Sequence, residues 1–152
     1  MRIEKPVRVS RSYLQTIQAS PDEVFPLLCP VKEADWVTGW DPRIVYSNSG
    51  VAEAGCVFIT PGEDEETIWL ITKHDWERHI VEFVRMTPGL TVCEIAIHLS
   101  PGDPGITNCS VKYAHTALST DGVKFVEEFD EAYYQNMMQE WENAVNKFLN
   151  KN

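Results

Sequence analysis

The chain has 152 residues, of which 43% are hydrophobic and 24% are charged, and its formal net charge is −10. This length suits one domain with its own hydrophobic core, and the composition is typical of a globular protein. The excess of acidic side chains argues against nucleic acids and anionic membranes as partners, because basic side chains are needed to bind phosphate groups.

The sequence predicts a single domain over residues 1–152 in the cytoplasm. It has no repeat or linker, no apolar segment typical of a signal peptide, and no stretch near the ~20 apolar residues of a spanning helix, so we expect no stable membrane insertion. The four cysteines are scattered, and the histidines do not converge with them, so no metal is expected. Motifs for nucleotides and for esterase chemistry are absent from the sequence, and we expect no cofactor.

A short helix is predicted to begin after Ser20. Ser20 is placed to cap this helix, Pro21 suits its first position, and Glu23 completes a capping box. Pro26 is predicted to kink the helix, because a proline removes a backbone hydrogen bond. A second short helical turn is predicted around residues 32–37, so two short helices follow the first strand.

Seven β-strands are predicted, one before the short helices and six after them. Three X-Pro-Gly sequences separate the β-rich segments, as hairpin turns do. Short turns of this kind imply an antiparallel meander. The predicted strands cover residues 8–18, 43–48, 55–60, 66–74, 79–87, 90–100 and 106–118.

The last hairpin has a sequence pattern from which a register can be predicted. If Ser100 faces Ile106, the apolar residues of both strands share one face, and Glu94 faces Lys112 on the other. The inner face then carries Cys93, Ile95, Ile97, Cys109, Val111, Tyr113 and His115.

The two preceding strands are predicted to present their odd-numbered residues to the same inner face. These residues are Val81, Phe83 and Arg85 in one strand, and Trp69 and Ile71 in the other. For residues 66–74, the opposite parity, with Ile68 and Leu70 facing inwards, is the alternative.

Residues 121–149 have helical periodicity and are predicted to form one long helix of ~40 Å, at 1.5 Å per residue. Its length is enough to cross the sheet and cover its apolar face. Taken alone, its bulky apolar stripe favours a filled core over a cavity. The stripe consists of Val126, Phe129, Tyr133, Met137, Trp141, Ala144 and Phe148.

Four motifs, together with this order of elements, carry a resemblance to a known family. They cover residues 17–25, 40–42, 79–89 and 137–141. Over residues 8–150 the chain resembles the START-like, or Bet v 1-like, superfamily (also called SRPBCC), and its polyketide cyclase/dehydrase and lipid-transport branch in particular. The resemblance implies an α+β helix-grip fold, in which a seven-stranded curved antiparallel sheet wraps around a long C-terminal helix and leaves a cavity beneath it.

The resemblance also implies a function. Members of this superfamily bind apolar molecules, so we expect the partner to be a small apolar molecule, a lipid, polyketide or similar, that is bound or carried in the cavity. A cyclase/dehydratase-type enzyme acting in the same cavity is one alternative, and a chaperone-regulator-like interaction domain with a collapsed cavity is another. The superfamily has no common catalytic motif to transfer, and the sequence leaves both catalysis and the oligomeric state open.

The candidate ligand-binding residues come from the inner face and the helical stripe. Arg85, Tyr113 and His115 are also the catalytic candidates, because such groups can orient a carbonyl or carboxylate or assist an enolising substrate. The alternative for each is a structural role, in which Tyr113 and His115 are hydrogen-bonded core residues and Arg85 pairs with an acid near the rim. Trp36 and Trp40 are predicted either to gate the cavity mouth or to plug it. The ligand-binding candidates are Trp40, Trp69, Ile71, Val81, Phe83, Arg85, Ile95, Ile97, Val111, Tyr113, His115, Phe129, Tyr133, Met137 and Trp141.

Overall fold

A seven-stranded antiparallel sheet forms the body of the computed structural model, which describes residues 1–62 and 64–151. The strand order is β1-β7-β6-β5-β4-β3-β2, so β2 to β7 form a meander and β1 pairs with β7. This confirms the predicted topology. The strands are β1 (Arg8–Ile17), β2 (Arg43–Tyr46), β3 (Val57–Thr60), β4 (Thr67–Asp75), β5 (Ile80–Thr87), β6 (Thr91–Pro101) and β7 (Thr107–Ala117).

Short helices follow β1 as predicted: α1 (Pro21–Val24), a 3₁₀ turn (Phe25–Leu27) and a second 3₁₀ turn (Lys32–Asp35). The change from α to 3₁₀ geometry occurs at Phe25, directly before Pro26, which cannot donate a backbone hydrogen bond. The predicted capping box is wrong. The Ser20 hydroxyl donates to the carboxylate of Glu23 at 3.3 Å and caps no backbone N–H group.

The hairpin between β6 and β7 has a different register from the predicted one. Cys93 faces His115 and Ile95 faces Tyr113, which is a shift of two residues. The cause is the turn, in which the backbone N–H of Gly102 donates to the carbonyl of Ile106 at 2.9 Å. Ser100 therefore pairs with Asn108 instead of Ile106.

A shift of two residues leaves each side chain on its predicted face, because side chains alternate with a period of two. The predicted inner residues of β6 and β7 are buried, apart from the half-buried Tyr113. The predicted pairing of Glu94 with Lys112 is wrong, since Glu94 faces Ala114 and Lys112 faces Ala96. Both charged residues are nevertheless exposed on the outer face.

The inner faces of β4 and β5 are confirmed. Val81 and Phe83 are buried, and Trp69 and Ile71 are buried in the favoured parity of β4. Leu70 is 39% exposed, which excludes the alternative parity.

The predicted single C-terminal helix is wrong, because two helices occupy this segment: α2 (Thr120–Glu128) and α3 (Glu131–Asn150). Phe129 has ψ 62°, outside the helical range, and the Asp130 carboxylate accepts a hydrogen bond from the N–H of Tyr133 at 2.8 Å. Asp130 therefore starts a new helix where periodicity alone predicts a continuous one. The break changes the buried face, so that Tyr134 is fully buried and Tyr133 is 58% exposed.

Hydrogen bonds attach α3 to the β1 side of the sheet. The Tyr134 hydroxyl donates to the carbonyl of Val111 at 2.8 Å, and the Gln15 amide donates to the carbonyl of Met138 at 3.1 Å. Further along, the Asn146 amide donates to the carbonyl of Thr16 at 3.0 Å. Because these contacts lie along β1 and β7, they leave space between α3 and the strands on the other side.

Replacing Asp130 with alanine is expected to destabilise the fold by about 1 kcal/mol, because it removes the N-cap of α3. Urea unfolding of the purified protein measures this change. Asp41→Ala, at an exposed aspartate outside the helices and strands, is the matched control and should change stability by less than about 0.5 kcal/mol. Equal stabilities of the two variants would contradict the capping role.

The described part of the chain has no helix long and apolar enough to cross a membrane. Nor do its His, Cys, Asp and Glu residues form a group of three or more that could hold a metal ion. The four cysteines are buried free thiols. Burial raises the pKa of Cys93 to about 11 and that of Cys109 to about 12, so both are protonated at neutral pH.

Candidate functional site

A cavity of about 450 Å³ lies between the inner face of the sheet and α3. It occupies the space that the attachment of α3 to β1 leaves open over β3 to β6. The bulky residues of the helical stripe therefore do not fill the interior. Its lining residues are Glu33, Val37, Thr38, Trp40, Phe58, Trp69, Phe83, Arg85, Ile95, Ile97, Tyr113, Met137, Met138, Glu140, Trp141 and Ala144.

Aromatic side chains form the wall of the cavity on the β3 to β5 side. Phe58 and Trp69, which face each other on adjacent strands, stack with ring centroids 5.2 Å apart. Trp40 and Phe83 pack edge-on against Trp69 at 5.8 Å and 6.0 Å. Offset and edge-on contacts of this kind are favourable and stabilise the wall.

Trp36 and Trp40 hold the short helices against the cavity. The Trp40 indole N–H donates to the carbonyl of Pro30 at 2.7 Å, and that of Trp36 donates to the carbonyl of Leu27 at 3.2 Å. Trp36 stacks on Trp141 at 5.8 Å. Trp40 lines the cavity as part of its wall, whereas Trp36 lies behind Trp141, and the cavity is not plugged.

Arg85 lies in this aromatic wall. Its guanidinium carbon is 5.2 Å from the ring centroid of Trp69 and 5.8 Å from that of Tyr113, so the cation contacts two π systems. The predicted structural alternative for Arg85, an ion pair with an acid at the rim, does not occur. The side chain of Arg85 has neither a hydrogen bond nor an ion pair with any residue that the structure describes.

Tyr113 lies beside Arg85 on β7. Its ring stacks on Phe129 at 6.2 Å and packs edge-on against Tyr134 at 5.6 Å, while its hydroxyl has no hydrogen-bond partner in the described parts of the chain. Burial raises the pKa of Tyr113 to about 12. At neutral pH the hydroxyl is therefore an uncharged donor available to a molecule in the cavity.

Glu33 supplies a second uncharged polar group. It belongs to the second 3₁₀ turn, and burial of its carboxyl group raises its pKa to about 8. The carboxyl group is therefore mostly protonated at pH 7 and can donate a hydrogen bond. Within residues 1–62 and 64–151 this side chain has no hydrogen-bond or ion-pair partner.

No protein-family model and no curated protein sequence matches this chain. Solved structures are similar to it. Truncated norcoclaurine synthase from Thalictrum flavum has a TM-score of 0.72 and 17% identity, over 98% of each chain. The structure of Ara h 8.0201 has a TM-score of 0.67 and 14% identity, over 96% of this chain and 100% of that one. The Zhui aromatase/cyclase from a Streptomyces species has a TM-score of 0.66 and 15% identity, over 93% of each chain.

The chain has the helix-grip, Bet v 1-like fold. The resemblance found in the sequence is thereby confirmed for the fold. At these identities the comparison does not extend to an activity, because one fold hosts many functions.

Nine predicted ligand-binding residues line the helix-grip cavity. They come from four strands, from α3 and from the loop before β2, and their contact with a ligand stays a prediction. The nine are Trp40, Trp69, Phe83, Arg85, Ile95, Ile97, Tyr113, Met137 and Trp141.

The other six predicted residues do not line the helix-grip cavity. Five of them are buried and pack within the core away from it, and Tyr133 faces solvent because of the break before α3. The six are Ile71, Val81, Val111, His115, Phe129 and Tyr133.

His115 is fully buried beneath α2, outside the cavity. Its ring lies 4.4 Å from that of Phe129 and 5.3 Å from that of Phe125, and neither ring nitrogen has a partner among the described residues. Burial, with the nearby charge of Arg85, lowers the pKa of His115 to about 4. The predicted catalytic histidine therefore does not line the cavity.

Sequence reasoning missed seven lining residues. Glu33, Val37 and Thr38 belong to a short polar segment without clear periodicity, where a charged residue normally faces solvent. Alternation within β3 could have found Phe58, and the Asp130 cap could have found Met138. The seven are Glu33, Val37, Thr38, Phe58, Met138, Glu140 and Ala144.

Proposed function

We propose that this chain binds and carries a small, largely apolar molecule in the helix-grip cavity, and that it does so in the cytoplasm. The observation that carries the proposal is the open, aromatic-lined cavity of about 450 Å³. Sites for small molecules have volumes of roughly 300–1,000 Å³, mostly apolar walls and a few polar groups that orient the ligand. Burial of apolar ligand surface, at about 25 cal/mol per Å², would supply the affinity.

Similar structures support this proposal. One of them is norcoclaurine synthase in complex with dopamine and hydroxybenzaldehyde, with a TM-score of 0.70 and 16% identity over 96% of this chain. Small aromatic compounds therefore bind to a protein of this fold. In the present chain, Trp40, Phe58 and Trp69 provide flat surfaces for such compounds.

A dye titration tests the proposal. The neutral fluorescent dye N-phenyl-1-naphthylamine is expected to bind the purified chain, and Ala144→Trp is expected to weaken binding about tenfold or more, because the indole would fill part of the cavity. The matched control is Ala132→Trp, which adds the same side chain to the same helix at an exposed position.

Circular dichroism of both variants establishes that they are folded. Ala132→Trp should bind the dye as the unmodified chain does. Failure of the unmodified chain to bind, or equal binding by both variants, would refute a ligand site in this cavity. Native mass spectrometry of the purified protein then shows whether a cellular molecule occupies it.

A cyclase- or dehydratase-type enzyme is the second candidate function. Two of the three predicted catalytic residues, Arg85 and Tyr113, line the cavity, whereas His115 does not. A phenyl-substituted β-hydroxy ketone, whose loss of water forms a conjugated enone, tests this candidate by absorbance. Turnover that persists unchanged in both Arg85→Gln and Tyr113→Phe would argue against it. The chaperone-regulator alternative requires a collapsed cavity, and the open cavity does not support it.

A further inference from the structure

Several polar side chains line the cavity without a hydrogen-bond or ion-pair partner among the described residues, and among them are Arg85 from β5, Tyr113 from β7 and Glu33 from the second 3₁₀ turn. All three side chains are half-buried. A ligand that covers them removes their remaining hydration, which costs free energy unless the ligand supplies hydrogen-bond partners of its own.

We infer that the ligand is a planar, mainly apolar acid whose anionic oxygens bind the Arg85 guanidinium. This inference rests on the proposed function and names the chemical class of the ligand. A carboxylate is the simplest such group, and an acidic phenol or enol has the same charged oxygen.

The charge of Arg85 points to an anion. Arg85 is half-buried, and the aromatic faces of Trp69 and Tyr113 replace part of the hydration of its guanidinium. They leave the N–H groups of the guanidinium without acceptors in the described residues. A carboxylate fits the planar fork of these N–H groups with two parallel hydrogen bonds.

Glu33 does not serve as the partner of Arg85. Burial alone accounts for the raised pKa of Glu33, whereas a neighbouring guanidinium would lower that pKa. Glu140, the other acidic residue of the lining, is exposed on α3 and is not bonded to Arg85. The described residues therefore offer Arg85 no acceptor, and an anionic ligand in the cavity can supply one.

The shape of the wall points to a flat molecule. The Arg85 guanidinium lies within 6 Å of the rings of Trp69 and Tyr113, and Phe58 stacks on Trp69 with an angle of 13° between the rings. A planar ring next to the acid group would extend this stack. Tyr113 can donate a second hydrogen bond to the same anion, and neutral Glu33 can donate one to a carbonyl or hydroxyl group elsewhere on the ligand.

Calorimetric titration with 2-naphthoic acid and 2-naphthamide tests the inference. The two probes have the same shape and differ in charge. The unmodified chain is expected to bind the acid about ten- to a hundredfold more tightly than the amide. The free energy of a hydrogen bond between charged groups corresponds to this ratio of affinities. In Arg85→Gln this preference should fall to about one, with the affinity for the amide retained, and Arg85→Lys should recover part of it.

The matched control is Arg43→Gln, at an exposed position on the edge strand β2, which should keep the full preference. Equal binding of the two probes by the unmodified chain, or a preference that survives in Arg85→Gln, would overturn the inference while the proposed function stands. Failure of the acid, the amide and N-phenyl-1-naphthylamine alike to bind would refute both.

Discussion

Replacing Glu33 with glutamine is expected to stabilise the folded protein by about 3 kcal/mol at pH 7. Burial raises the pKa of this carboxyl group from an ordinary value of 4.5 to about 8. At pH 7 the unfolded chain therefore carries an ionised Glu33, and folding must take up a proton. Each pKa unit corresponds to about 1.4 kcal/mol, and pH 7 lies 2.5 units above the ordinary value. Glutamine has the same shape without this penalty.

The sign of the pH dependence follows from the raised pKa. Below pH 4.5, Glu33 is protonated in both the folded and the unfolded chain and does not lower the free energy of unfolding. As the pH rises from 4.5 to about 8, the free energy of unfolding falls progressively. The stability difference between Glu33→Gln and the unmodified chain should therefore be small at pH 4 and should grow up to pH 8.

Urea unfolding at a series of pH values measures this difference. The matched control is Glu127→Gln, at an exposed position of α2, which should change stability by less than about 0.5 kcal/mol at each pH. Parallel curves for Glu33→Gln and the unmodified chain would show that the Glu33 carboxyl group is hydrated in solution. The expected result would instead mark Glu33 as a residue retained at the expense of stability, as residues of binding sites often are.

Replacing His115 with phenylalanine is expected to remove about 3 kcal/mol of the loss in unfolding free energy that occurs as the pH falls to about 4. Burial lowers the pKa of His115 from 6.5 to about 4, because the charged ring would be desolvated. For a base with a lowered pKa, the stability is fully present above pH 6.5 and is lost as the pH falls to about 4. Phenylalanine does not titrate and keeps the aromatic contacts with Phe125 and Phe129.

At pH 7 the same variant should be as stable as the unmodified chain or up to about 1 kcal/mol more stable, because it removes two buried nitrogens without partners. Unfolding curves at pH 7 and pH 4 measure both effects. His98→Phe is the control on the exposed outer face of β6, where loss of the contact with Glu82 at 3.6 Å should change stability by less than about 1 kcal/mol at either pH. Acid sensitivity that is the same in His115→Phe and in the unmodified chain would show that water or another group hydrates His115 in solution.

The faces of the sheet could be predicted because they depend on local alternation. Val81 and Phe83 flank Glu82, and Ile95 follows Glu94, and the structure buries all three apolar side chains. The pairing of β6 with β7 could not be predicted in the same way, because it depends on how the turn at Gly102 closes. An error of two residues in pairing did not change the faces, since the period of the strand is two.

The C-terminal segment shows the limit of periodicity. Its apolar spacing predicts a helix, and helices do form, but Asp130 starts a second one and changes which residues face inwards. Met137 and Trp141 line the cavity as predicted, whereas Tyr133 faces solvent. Capping by an aspartate is a local signal, and it was outweighed here by the continuous apolar stripe.

The sequence by itself determined the strands, their inner faces, the helix-grip architecture and the presence of Arg85 among apolar residues. Only the tertiary structure decided which residues line the cavity. It brought Glu33 to the cavity and placed His115 in the core outside the lining. The physical reason is that desolvation depends on what lies across space from a side chain. Glu33 is half-buried and shares the cavity with strands and a helix far from it in sequence, and no local pattern around residue 33 contains that information.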